Sequence, residues 1–126
     1  MILDASALLA FLLAEPGKDR VAEALMEGAV MTTVNFAEVV TKYVLRGAKE
    51  RAATLLERIP LTLVAVDEDL ALRSALMADL TRPAGLSMGD RICLALGQRT
   101  GHTVLTADRS WLDIAAAVGA VVEAVR

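Results

Sequence analysis

Short apolar runs alternate along the chain with longer segments of helical periodicity. The first run, Met1-Ile2-Leu3, predicts a strand over residues 1–4 that closes on a single acid, Asp4. An apolar helix is expected over 6–14, stopped near Glu15-Pro16-Gly17 because the residue before proline avoids the helical region. A helix over 18–27 ends at Gly28, and a second strand occupies 29–33. Helices over 35–46 and 48–58 stop at Gly47 and before Pro60. The run at 61–66 predicts the third strand, Asp67 caps a helix over 68–79, and residues 81–86, with Pro83 and Gly85, form a loop. A helix over 88–100 ends at Gly101 and a strand follows at 103–106. A short helix over 111–118 and an edge strand over 120–125 close the pattern. Strands alternating with helices predict an α/β fold, with a mostly parallel central sheet of four to five strands and helices on both faces. No repeat or linker divides it, so residues 1–126 read as one domain.

Composition sharpens this. Hydrophobic residues make up 56% of the chain and mean hydropathy is +0.52, so some apolar surface is expected to meet a partner. The longest apolar stretch, residues 5–14, is too short for a bilayer, and Asp4 sits where a signal peptide needs basic residues. A lone Cys93 cannot form an internal disulfide. Together these point to a cytoplasmic protein with no membrane association. Net charge is -3, which by itself argues against a nucleic-acid partner. Setting Asp4, Glu38, Asp90 and Asp108 aside from the 16 acids leaves 12 against 13 basic residues, a balance of +1. If those four hold a cation, the remaining surface is compatible with a polyanion.

Those four acids carry the candidate chemistry. Asp4 closes the first strand, Glu38 falls in the first turn of the helix after the second strand, and Asp108 follows the fourth strand by two residues. Strand C-termini and the helix starts that follow them share one edge of a parallel sheet, where such sheets bind ligands. Asp90 is the exception, because its helix leads into a strand, and only a segment arriving from the opposite direction brings it to that edge. Four carboxylates in a small site need a cation, since like charges raise each other's pKa. Mg²⁺ or Mn²⁺ takes oxygen ligands and works on phosphates, and no His or Cys cluster favours zinc. Each acid also has an ordinary structural role to weigh. Asn35-x-x-Glu38 and Ser87-x-x-Asp90 have capping-box spacing or nearly so, and Asp108 before Arg109-Ser110 suits a turn. Asp4 is the hardest to explain this way, because an acid closing a buried strand needs a partner.

The segments Leu3-Asp4-Ala5-Ser6-Ala7-Leu8, Asn35-Phe36-Ala37-Glu38-Val39, Leu86–Leu96 and Leu105–Trp111 lie in order across nearly the whole chain. In this arrangement the chain resembles PIN-domain ribonucleases of the VapC toxin type, from toxin–antitoxin pairs. The resemblance implies that Asp4, Glu38, Asp90 and Asp108 hold Mg²⁺ or Mn²⁺, with Ser6, Asn35 and Thr106 supporting them. It implies endonucleolytic cleavage of RNA leaving a 5′-phosphate, a cognate antitoxin and a homodimer. Two rivals stand beside it. A haloacid-dehalogenase phosphatase wants an aspartate at position 6, where this chain has Ser6. A non-catalytic nucleic-acid or antitoxin-binding module is disfavoured by the intact set of four acids.

The remaining polar residues have plainer readings. Asp67-Glu68-Asp69 opens a helix, Cys93 is a small core residue, His102 is exposed in a turn, and Trp111 packs. Arg91 and Arg109 flank candidate ligands, as contacts to RNA or antitoxin or as surface ion pairs. Lys42, Arg46, Lys49 and Arg51 form a basic stretch, either a solvated face or an RNA-tracking rim. The all-round apolar first helix, with the resemblance, predicts an antitoxin-binding groove between it and helix 35–46. Leu9, Leu12, Leu13, Val40 and Leu45 are expected to line it.

Overall fold

In the computed structural model, which describes residues 1–126 apart from the side chain of Leu56, alternation within each short strand sorts the core into two layers. Five strands form one sheet: β1 (Ile2–Leu3), β2 (Val30–Thr32), β3 (Thr62–Val64), β4 (Val104–Thr106) and β5 (Val122–Ala124). Their order is β3-β2-β1-β4-β5 and every pairing is parallel. Side chains of adjacent strand residues point to opposite faces. Ile2 and Val104 therefore enter one core with Leu94, Leu70 and Trp111. Leu3, Met31 and Leu105 enter the other, with Leu8, Val21 and Val39. Helices cover both faces: α1 (Ala5–Leu12), α2 (Lys18–Met26), α3 (Thr33–Leu45), α4 (Lys49–Arg58), α5 (Glu68–Leu76), α6 (Ala78–Thr81) and α7 (Met88–Thr100). Among the described residues, no helix is long and apolar enough to cross a membrane.

The ends of α1 and α3 differ from the sequence expectation. α1 stops before proline: Ala14 turns left-handed at φ 54, and the Glu15 N–H reaches back to the Ala10 carbonyl at 2.8 Å. α3 begins two residues early, because Thr32 is its cap and accepts from the Asn35 N–H at 3.1 Å. The capping-box reading of Asn35 and Glu38 is thereby overturned, and Glu38 falls in the second turn. The expected helix over 68–79 breaks into α5 and α6, and the one over 111–118 is a 3₁₀ turn at Arg109–Asp113.

The strand order reverses between β1 and β4, which creates a crevice at their carboxyl ends. α7 reaches that crevice because α5 runs antiparallel to it. Near the end of α7, Arg99 binds Asp67, the cap of α5, at 2.8 Å. Near the start of α7, the Arg91 Nε donates to the Ser74 carbonyl at 3.1 Å, late in α5. The β3-to-β4 crossover is thus a helical hairpin. It returns the chain to the carboxyl edge before α7 begins, and Gly101, at φ 74, ends α7 where β4 must start.

Candidate active site

One cavity of about 620 Å³ at the carboxyl edge is lined by Asp4, Ser6, Glu38, Asp90, Asp108 and Trp111. Asp4 caps α1 and is 3% exposed. It accepts from the Ala7 N–H at 2.7 Å, from the Ser6 hydroxyl at 2.8 Å and from the Thr106 hydroxyl at 2.8 Å. The two hydroxyls accept in turn from β4's exit: Ala107 N–H to Ser6 at 2.9 Å, and Asp108 N–H to Thr106 at 3.0 Å. Ser6 and Thr106 thereby tie the end of β1 to the end of β4. Burial outweighs these bonds and raises the Asp4 carboxyl from 3.8 to about 6, with a smaller push from the Asp90 charge.

Glu38 is held by a bracket between helices. The buried Asn35 amide donates to the Glu38 Oε2 at 3.1 Å and to the Gly89 carbonyl on α7 at 3.0 Å. Gly89 is buried, and a Cβ there would collide with the Glu38 carboxylate. Only glycine lets α3 and α7 bring this acid so close. Glu38 is pushed upward by burial, against the Asn35 hydrogen bond; Asp90 adds to the push and Lys42 opposes it.

Asp90 completes a capping box with Ser87: the Ser87 N–H donates to Asp90 Oδ2 at 2.9 Å. Asp108 caps the 3₁₀ turn and accepts from the Ser110 N–H at 3.0 Å and its hydroxyl at 2.7 Å, both on Oδ1. Glu38, Asp90 and Asp108 therefore each spend one oxygen on local structure and leave the other without a partner among the described residues. Capping and cation binding are compatible in this geometry. No Lys, Arg or His pairs with any of the four acids among the described residues. The Lys42 charge offsets Glu38 only in part, and a hard-oxygen donor set of this kind suits Mg²⁺ or Mn²⁺. The acids are gathered loosely: among the described residues, no three His, Cys, Asp or Glu side chains are set closely enough to hold an ion as they stand.

Other candidates take structural places. Arg91 and Arg109 donate to backbone carbonyls, of Ser74 and of Arg126, and among the described residues neither makes the surface ion pair considered for it. Cys93 is fully buried, and burial, reinforced by the negative charges nearby, pushes its thiol well up. His102 is exposed. Trp111 is 1% exposed and belongs to the core, with its indole N–H unpartnered. Two features escaped sequence reasoning: the Asn35–Gly89 bridge and the acceptance by Ser6 and Thr106 of the β4 exit amides. The only signal for the first was a glycine immediately before Asp90 in a helical segment.

The expected groove also takes a different shape. Leu9 and Leu45 line the acid cavity, and Leu9 and Leu13 line a second depression beside it. Val40 lies on another face of α3 with Phe36 and Val44, at a spacing of four residues, against α4. Leu12 packs on the core.

The PIN domain family matches residues 1–117. No curated protein matches the chain in sequence. Among solved structures, a toxin–antitoxin complex from Klebsiella pneumoniae is similar at TM-score 0.74 and 17% identity, covering 99% of this chain and 97% of that one. A DNA-bound VapBC from Salmonella typhimurium gives TM-score 0.75 at 16% identity, with 99% and 97% covered. FitAcB from Neisseria gonorrhoeae gives 0.69 at 20%, with 96% and 94% covered. At these identities the likeness is one of fold.

Proposed function

This chain belongs to the PIN domain family, generally a family of nucleases, and from that premise we propose that it is a divalent-metal-dependent endoribonuclease, the toxin of a type II toxin–antitoxin pair. The observation that carries the reading is the gathering of Asp4, Glu38, Asp90 and Asp108 around one cavity with no ion pair to any of them among the described residues. These four would hold Mg²⁺ or Mn²⁺. Bound there, the ion would make a water acidic enough to attack a phosphodiester and would offset charge on the phosphoryl oxygens.

The chain's own groups have separable tasks. Ser6 and Thr106 fix Asp4 by donating to it, so its oxygens cannot swing away. Asn35 and Gly89 fix Glu38. The unpartnered oxygens of Glu38, Asp90 and Asp108 remain for the cation or for a proton taken from water. The toxin role draws on the complexes with which the fold is shared, and on exposed apolar residues such as Leu45, 81% exposed, at the cavity mouth.

Labelled RNA, single-stranded DNA and a phosphomonoester, each incubated with Mg²⁺, Mn²⁺ or EDTA, test the proposal. Internal RNA cleavage with either metal and none in EDTA is expected. Turnover of the phosphomonoester alone, or no turnover of any substrate, would refute it.

A further inference from the structure

A second depression opens directly from the acid cavity. It is lined by Leu9, Leu13, Tyr43, Lys42, Arg46 and Arg51, and a third, smaller one continues it past Glu15 and Arg126. All three depressions share Leu9 and Lys42, so they form one continuous groove between α1 and α3. Beyond the acid cavity its charge is one-sided. Lys42, Arg46 and Arg51 are exposed, and none pairs with a carboxylate among the described residues. Glu15, the acid along this outer path, is already held by Arg126 at 3.0 Å. Elsewhere Arg20, Arg73 and Arg99 sit on carboxylates, whereas Lys18, Lys49, Arg58 and Arg82, like the groove cations, make no ion pair among the described residues; what sets the groove apart is that its cations line one depression. Net charge is -3, yet three exposed cations line one depression beside an apolar floor.

We propose that this groove is the path of single-stranded RNA leaving the cleavage site, with Arg46 and Arg51 on its phosphates and its bases against Leu9, Leu13 and Tyr43. Unpaired cations recruit phosphates by releasing the counterions condensed on them, and apolar and aromatic side chains accept the faces of unpaired bases of any sequence. Lys42 joins the two parts, since it lies one turn beyond Glu38 on α3 and lines both the cavity and the groove. The inference rests on the nuclease reading for the polarity of the path, but binding can be measured apart from cleavage.

The test uses the full chain in EDTA, with a 5′-fluorescein-labelled twelve-nucleotide oligouridine followed by anisotropy from 50 to 200 mM NaCl. Arg46→Gln/Arg51→Gln is compared with the parent and with Arg99→Gln, which removes a charge at the far end of α7. Two lost phosphate contacts should lower the salt slope by about 1.4 and weaken binding roughly 25-fold at 0.1 M salt. Arg99→Gln should change binding less than about twofold. With Mg²⁺, the double variant should raise KM and leave kcat near the parent's. An unchanged affinity and slope in the double variant overturns the path, even if the parent cleaves RNA. Loss of binding to a Leu- and Glu-rich peptide with RNA binding intact also overturns it, and assigns the groove to a protein partner. If no protein cleaves RNA but the double variant loses binding as stated, the groove stands and the nuclease reading fails.

Discussion

Gly89→Ala separates the positioning of Glu38 from the stability of the fold. Gly89 lies in the first turn of α7, where alanine gains over glycine at most the helix-interior value of about 0.5–1 kcal/mol. Here the new methyl would overlap the Glu38 carboxylate, which is the far end of a flexible side chain and yields more readily than backbone. Moving it breaks the Asn35–Glu38 hydrogen bond, 3.1 Å long, at a cost of about 1 kcal/mol. The Asn35 bond to the Gly89 carbonyl can persist. The two effects nearly cancel, so Tm in EDTA should stay within roughly 4 °C of the parent. Function should not be spared. Supporting groups of this kind cost about 10–100-fold in metal affinity or activity when lost, and Mn²⁺ affinity by calorimetry and RNA cleavage should both fall in that range. Adding Glu38→Asp, one methylene shorter, should recover part of the Mn²⁺ affinity. Full Mn²⁺ affinity and cleavage in Gly89→Ala would show that the bracket does not place Glu38.

Three further outcomes follow from single residues. Asp4 binds its proton more tightly folded than unfolded, so the metal-free protein should lose stability as pH rises from 3.8 to about 6, by about 3 kcal/mol. The loss is complete above that window, and Asp4→Asn should flatten it in urea titrations; a parallel pH profile in the variant refutes the assignment. Asp90→Asn keeps an acceptor for the Ser87 N–H while removing a charge that both Asp4 and Glu38 feel, so it should melt higher than the parent in EDTA. It should also gain little from Mg²⁺, and a lower melt with the parent's Mg²⁺ response would leave Asp90 as a cap alone. Ala14→Gly relieves a left-handed residue at φ 54 and should stabilise by about 0.5 kcal/mol, with cleavage unchanged; a lower Tm would count against strain there.

Local chemistry wrote much of this protein into its sequence. Residues 88–100 are bounded by Ser87 and Gly101, a cap and a left-handed stop, and the helix occupies that span without adjustment. Apolar strands between helical segments specify a parallel sheet because each crossover must bury one helix face, and all five strands pair in parallel. Asp4 was legible for the same reason: an acid ending a buried strand needs partners, and it has three. What depended on distant contacts was not legible. Thr32 rather than Asn35 caps α3, and the Asn35 amide is spent on Glu38 within α3 and on the Gly89 carbonyl across the interface with α7. The arrival of Asp90 depended on α5 and α7 forming an antiparallel pair, joined by Arg99–Asp67 and Arg91–Ser74 across 32 and 17 residues. Periodicity reports which face of a helix is buried, but not the direction in which it crosses the sheet. The sequence thus determined which acids stand at or near element ends; only tertiary packing decided that four of them meet around one cavity.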